Sequence, residues 1–345
     1  MSKYTHRLGA ALLLAALQGA PIAVLAQTVS PFAECARIGA DRERLACYDR
    51  AAGRTTDPTL APSPSPASGP KAVAAATAAP TASLIDAAWE FDPASSPYVV
   101  RLYEPNYFLL ARYSDRVNTA PLSSVGQVPI PQEQVDNTEA KFQISLKARL
   151  WTTDDRRWGA WFAYTQQSYW QLYSDAISRP FRETNYRPEL FMSYRPGLEY
   201  GGFHWRLLNF GFTHESNGRS GVLSRGWNRL FAEFGVERDN LVLTARAWYR
   251  IKESADEEDN PDITDYYGYG SLRATYKWGG QSLSLMGRGN LSTGKGAVEA
   301  TWMSDKLLGP LRAYVQVFSG YGESLIDYNW NQTTIGAGVA VNDAF

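Results

Sequence analysis

The chain has 345 residues, 44% hydrophobic and 13% aromatic, and its 34 Lys and Arg stand against 35 Asp and Glu for a formal net charge of −1. That balance gives no electrostatic basis for a nucleic-acid partner. No run past the N-terminus reaches the ~20 apolar residues that a transmembrane helix needs, so entry into a membrane would require a closed barrel of strands.

Residues 1–26 read as a signal peptide. Lys3, His6 and Arg7 precede an apolar run from Leu8 to Leu17, and Val24-Leu25-Ala26 offers a cleavage site before Gln27. Residues 27–50 form a short segment with the two cysteines of the chain, Cys35 and Cys47. In an exported protein these are expected as a disulfide, and no histidine lies near enough in sequence to complete a metal site. The segment is expected in the periplasm. Residues 51–85, with "DPTLAPSPSPASGP", have the Pro/Ala/Ser composition of a linker.

From about residue 98 the texture changes. Twelve segments of strand character follow, separated by turn-like stretches: 98–113, 139–151, 158–170, 186–197, 203–217, 224–238, 241–252, 266–278, 282–290, 295–304, 311–320 and 332–343. None carries a sustained helical period. In "QTTIGAGVAVNDAF", Ile335, Ala337, Val339 and Val341 share one face, and small or polar residues share the other. Apolar-out, polar-in alternation, an even strand number and abundant Tyr and Trp fit an all-β, twelve-stranded antiparallel transmembrane barrel of the outer membrane over residues 86–345. The final residue, Phe345, resembles the terminal aromatic signature of such barrels. A secreted soluble β-sandwich or barrel has similar alternation and remains the competing reading.

One strand breaks the apolar face. In "FHWRLLNFGFTHESN" (203–217), His214 and Ser216 share the parity of Leu208, Phe210 and Phe212, opposite Asn209, Thr213 and Glu215. In the next strand Asn228 shares the parity of Leu230 and Phe234, so a hairpin turning near residues 218–223 would set Asn228 beside His214. Polar groups on a lipid-facing wall need partners, and serine, imidazole and carboxamide can satisfy one another. The same three groups suit acyl transfer: Ser216 as nucleophile, His214 as base, Asn228 fixing the tautomer without placing a carboxylate in lipid. The ordinary alternatives are a structural histidine and a turn serine beside Asn217-Gly218. His204 reads as a girdle residue. Glu215 is expected to face the lumen, without a catalytic role.

The stretch "HESNGRSGVLSRGWNRLF" (214–231) resembles the active-site hairpin of the bacterial outer membrane phospholipase A family. "SRPFRETNYRPELF" (178–191), "DNPDITDYYGY" (259–269) and "SGYGESLIDYNWNQT" (319–333) are similar to other segments of it. The resemblance spans roughly residues 98–345. It implies a twelve-stranded outer-membrane barrel that hydrolyses acyl esters of phospholipids and lysophospholipids, requires Ca2+ and is active as a homodimer. It further implies Ser216 as nucleophile, His214 as base and Asn228 as its orienter, with the Gly218 backbone N–H at the oxyanion. For calcium it implies the Arg219 carbonyl, the Ser224 hydroxyl, Asp259, and Ser178 reaching in from the partner subunit. Family members can carry aspartate where this chain has Gly221, which with the counterpart of Asp259 holds calcium in a second, monomer-type site; here that pair is broken, and the survival of the site is left open, with loop solvation or a turn cap before Pro261 as the other reading of Asp259. The competing functions are a passive porin or structural barrel, and a different outer-membrane esterase such as a lipid A deacylase.

Overall fold

The structure is a computed structural model that describes residues 31–53, 82–123, 126–130, 135–174, 180–254, 258–343 and 345. The signal-peptide residues and most of the linker lie outside the described residues. The chain divides into two units, Met1–Ala76 and Thr77–Phe345.

In the first unit, helices α1 (Pro31–Cys35) and α2 (Asp41–Ala51) are joined by the expected Cys35–Cys47 disulfide, with Cα atoms 5.5 Å apart. Helix α2 buries none of its residues, so the crosslink does the work that a core does in a larger unit.

The second unit is a barrel of twelve antiparallel strands: β1 (Asn106–Ser114), β2 (Thr138–Thr152), β3 (Trp158–Trp170), β4 (Phe181–Tyr194), β5 (Phe203–Ser216), β6 (Gly226–Arg238), β7 (Leu241–Ile251), β8 (Gly270–Trp278), β9 (Gln281–Asn290), β10 (Lys295–Leu308), β11 (Leu311–Tyr321) and β12 (Asn331–Asn342). Each pairs with its sequence neighbours, and β12 pairs with β1, which closes the sheet and leaves no edge among these strands. The predicted first segment, 98–113, is in fact two pieces. Val100–Leu102 lies along the far half of β2, and the chain bends at Glu104-Pro105 before entering β1. Periodicity cannot show that break, because both pieces alternate. Two short helices, α3 (Leu84–Trp89) and α4 (Ile263–Tyr267), were also not foreseen; each is too short to carry a helical period.

The burial pattern is inverted relative to a soluble protein. Leu110, Ile144, Leu190, Phe210, Leu230, Leu272, Leu285, Val298 and Ile335 are exposed on the outer wall, whereas Arg112, Glu139, Lys141, Glu189, Asn209 and Arg229 are buried in the lumen. That distribution suits hydrocarbon outside and a polar interior. The turns β2–β3, β6–β7, β8–β9 and β10–β11 are tight, whereas the connections after β1, β3, β5 and β7 are longer; the latter therefore mark the cell-exterior end.

The lumen is lined by ion pairs around a cavity of about 220 Å³. Arg229 pairs with Glu215 at 2.5 Å, and Arg246 pairs with both Glu189 and Glu233. At the periplasmic end α3 enters the barrel. Ser83 caps it by accepting from the Asp86 N–H at 2.9 Å, and Glu90 ends it in the left-handed conformation, φ 54°. The Glu237 carboxylate accepts from the Ile85 N–H at 3.0 Å, and Arg195 grips Asp86 with two bonds of 2.6 and 2.7 Å. Trp89 then stacks edge-on with Trp161 and Phe191 beneath the Lys147 ammonium, which lies 3.3 Å from its ring centroid.

Three of the sequence motifs meet at the outer mouth. Arg182 binds Asp327, Asn185 accepts from the Leu325 N–H, and Glu183 accepts from the Ile326 N–H. Asp262 accepts from the Tyr328 hydroxyl at 2.7 Å, and the Tyr267 hydroxyl donates to the Gly322 carbonyl. The segment between β11 and β12 is thereby folded into the lumen, with Leu325, Ile326 and Asp327 buried.

Candidate active site

The site lies at the exterior end of β5 and β6. Their register sets His214 opposite Asn228 and Ser216 opposite Gly226. Their inward neighbours Thr213, Trp227 and Arg229 are buried, and Phe212 and Leu230 one pleat below are exposed, so His214, Ser216 and Asn228 lie on the outer wall. The single irregularity of this pair, between Gly235 and Val236, falls near the periplasmic end and leaves the register at the site undisturbed.

His214 Nδ1 is 2.9 Å from Asn228 Oδ1. A carboxamide oxygen only accepts, so Nδ1 carries the proton and Nε2 offers its lone pair. Ser216 is two residues along the same strand, roughly 7 Å of rise from His214, on the same face. The hydrogen bonds among the described residues include none between its hydroxyl and the imidazole. Asn228 Nδ2 in turn donates to Glu253 Oε1 at 2.7 Å. Glu215 faces the lumen as expected, where Arg229 and Trp227 hold it.

The loop between β5 and β6 is organised by Asn217, which is buried. Its Oδ1 accepts from the backbone N–H groups of Arg225 (2.9 Å) and Arg219 (3.3 Å), and its Nδ2 donates to the Leu223 carbonyl. Gly218 follows at φ 64°; a Cβ there would lie 2.9 Å from the Tyr186 ring, so both conformation and space call for glycine. Gly221, at φ 70°, has open space around it. Arg225 donates to the carbonyls of Val222 and Ser224, and burial pushes its guanidinium below the ordinary range. Arg219 sends its guanidinium to Glu183 at 3.1 Å. Sequence reading missed Asn217 and Glu253. The Asn-Gly pair carries the signal for the first, read there as simple turn chemistry. For Glu253, inside "KESADEEDN", there was no signal.

Of the residues expected at calcium, Ser224 and Asp259 are brought together: the Ser224 hydroxyl donates to Asp259 Oδ2 at 2.5 Å, linking the loops after β5 and β7. Arg219 is in the same loop as Ser224. Ser178 lies outside the described residues.

The family model described as Phospholipase A1 matches residues 86–341, which is most of the chain and all twelve strands up to the end of β12. The chain belongs to the phospholipase A1 family. Phospholipase A1 of Klebsiella pneumoniae is 41% identical over 253 residues, 72% of this chain and 85% of that protein. The dimeric outer membrane phospholipase of Salmonella typhi with bound calcium superposes with a TM-score of 0.68 at 38% identity, covering 76% of this chain and 98% of that one. An active-site mutant of Escherichia coli outer membrane phospholipase A, asparagine to alanine, superposes with a TM-score of 0.68 at 35% identity, covering 76% and 100%. This phospholipase is accordingly an integral β-barrel of the outer membrane and an acyl-ester hydrolase.

Among the described residues no group of three or more His, Cys, Asp or Glu side chains is placed to hold a metal. The candidate donors, a hydroxyl, a carbonyl and one carboxylate, are all oxygens, which is the chemistry calcium takes. They fit calcium but fall short of its usual six to eight ligands, so water or a second subunit would have to complete the set.

Proposed function

We propose that this phospholipase cleaves acyl esters of phospholipids and lysophospholipids with Ser216 as nucleophile, His214 as general base and Asn228 as the group that fixes the imidazole, and that calcium and dimerisation complete the site. The observation that carries this reading is the 2.9 Å contact between His214 Nδ1 and Asn228 Oδ1 on an outer wall otherwise built for hydrocarbon.

With Nδ1 bound to Asn228, His214 Nε2 is free to take the Ser216 proton as the oxygen attacks the ester carbonyl. The tetrahedral intermediate collapses with expulsion of the lysolipid oxygen, which takes that proton back, and water repeats the sequence on the acyl-serine. The Gly218 N–H, at the first turn of the loop, is the proposed donor to the oxyanion. Arg219, Ser224 and Asp259 would hold calcium, with Ser178 of a second copy. When bound, calcium supplies positive charge toward that oxyanion. Asparagine is also the residue type whose replacement makes an active-site mutant of the Escherichia coli enzyme, and the Salmonella typhi relative is a calcium-bound dimer. An outward-facing triad suits a substrate whose acyl chains lie in the surrounding membrane. The test is Ser216→Ala: it should insert as a folded barrel and release no fatty acid from phospholipid vesicles. Retained hydrolysis in that variant would overturn the assignment.

A further inference from the structure

We infer that Glu253 is a positioning residue for the reaction: its carboxylate locks the Asn228 carboxamide in the one orientation that gives His214 the productive tautomer. This inference rests on the proposed Ser216–His214–Asn228 triad.

Asn228 pairs with Ile251 of β7, and Glu253 lies two residues further on, beyond the strand end, at the parity of exposed Tyr249. From there Glu253 Oε1 accepts from Asn228 Nδ2 at 2.7 Å, while Asn228 Oδ1 meets His214 Nδ1 at 2.9 Å. A carboxamide is nearly symmetric in shape. Turned over, it would present its NH2 to His214, make Nδ1 the acceptor and put the proton on Nε2, where it blocks transfer from serine. An ionised carboxylate can only accept, so it selects the NH2 end of Asn228. Each step then fixes the next: the amide nitrogen faces Glu253, the amide oxygen faces His214, Nδ1 carries the proton and Nε2 is left for Ser216. Among the described residues no lysine, arginine or histidine forms an ion pair with Glu253, so its acceptor capacity is directed to the amide. The negative charge also stands one group away from the imidazolium that forms when Ser216 gives up its proton. Glu253 thus supplies part of what an aspartate would, with the carboxylate removed from direct contact with the ring.

The experiment compares steady-state hydrolysis by Glu253→Ala, Glu253→Gln and the parent in mixed micelles at saturating calcium. The same Glu253 change is also made in an Asn228→Ala background. The expected result is a fall in kcat of about tenfold in Glu253→Ala with KM little changed, from loss of one charge-assisted hydrogen bond. In Glu253→Gln, whose amide oxygen can still accept from Asn228, kcat should be partly restored. In the Asn228→Ala background the change should have no further effect, because there is no amide left to orient. Parental kcat in Glu253→Ala, or an equal fall in both backgrounds, would overturn the inference. Should Glu253→Ala fail to fold by heat-modifiable gel migration, Glu253→Met, similar in size but without the acceptor oxygen, takes its place, with parental kcat in that variant or an equal fall in both backgrounds again counting against the inference. Ser216→Ala is run in parallel: hydrolysis surviving there removes the triad itself, whereas its abolition together with a parental Glu253→Ala removes only the role of Glu253.

Discussion

The Ser224 hydroxyl donates to the Asp259 carboxylate at 2.5 Å, which fastens the loop after β5 to the loop after β7. Both side chains come from otherwise separate hairpins, so the contact exists only once the barrel has formed. As proposed calcium ligands they should control cation affinity more than the chemical step. Asp259→Asn should raise the calcium concentration for half-maximal hydrolysis by about tenfold or more, by analogy with the loss of a metal's supporting ligand. Ser224→Ala, which removes a neutral donor, should raise it less. A calcium titration of fatty-acid release reads both, and unchanged half-saturation in Asp259→Asn would remove the residue from the site.

The direct partner of the imidazole should behave differently. Asn228→Ala leaves His214 Nδ1 without its acceptor and lets both tautomers populate. We expect kcat to fall by about ten- to a hundredfold, with KM and calcium dependence near parental values. A loss appearing mainly in KM would point instead to a role for Asn228 in holding lipid.

Much of this architecture was legible in the chain because its two-residue alternation is sustained through segment after segment. The parity of Leu208, Phe210 and Phe212 against Asn209 and Thr213 gave the wall and its orientation, and the placing of His214, Ser216 and Asn228 on one outer face follows from that count alone. What parity could not carry were contacts between segments distant in sequence. Glu183 and Asn185 alternate along β4 like any lumenal pair and Arg182 sits beside them at a register shift, yet each binds the segment 325–327 folded in between β11 and β12. Glu253 sits in an acidic loop where sequence shows only solvation. Helix α3 occupies residues 84–89, partly inside what composition assigns to the linker, because the Ser83 cap, the Arg195–Asp86 pair and the buried side chains of Ile85 and, above all, the tryptophan Trp89 dock it.

That tryptophan is the basis of a stability prediction. Trp89 is 3% exposed, packs against Trp161, Phe191 and Tyr103, and lies under the buried Lys147 ammonium. Trp89→Ala should cost about 3–5 kcal/mol, from a cavity and a cation stripped of its aromatic partner. The measurement is the denaturant midpoint of the inserted barrel followed by tryptophan fluorescence or gel migration. Because α3 enters at the end opposite Ser216, kcat of the variant at low temperature should stay near the parent value.

Glu323 offers the complementary test at the exterior end. Its carboxylate accepts from Arg112 and from Lys141 at 3.0 Å, and the side chains involved are at most 4% exposed. Arg112 also reaches Glu139, which Arg182 holds at 2.9 Å, and Arg182 continues to Asp327. Removing this carboxylate leaves buried Lys141 with Gln316 alone and Arg112 with Glu139 alone, so Glu323→Ala should destabilise the barrel by about 3–5 kcal/mol, read as a lower denaturant midpoint. The effect should also reach the reaction. Glu183, in the strand that holds Arg182, fixes Arg219 of the loop between β5 and β6 at 3.1 Å while accepting from the Ile326 N–H of the folded-in segment. Loosening that segment removes the inner support of the loop bearing Gly218, Arg219 and Ser224. Hydrolysis by Glu323→Ala should therefore need more calcium, whereas Trp89→Ala, equally destabilised, should not. Equal calcium dependence in the two variants would show that the outer-mouth network stabilises the barrel without shaping the site.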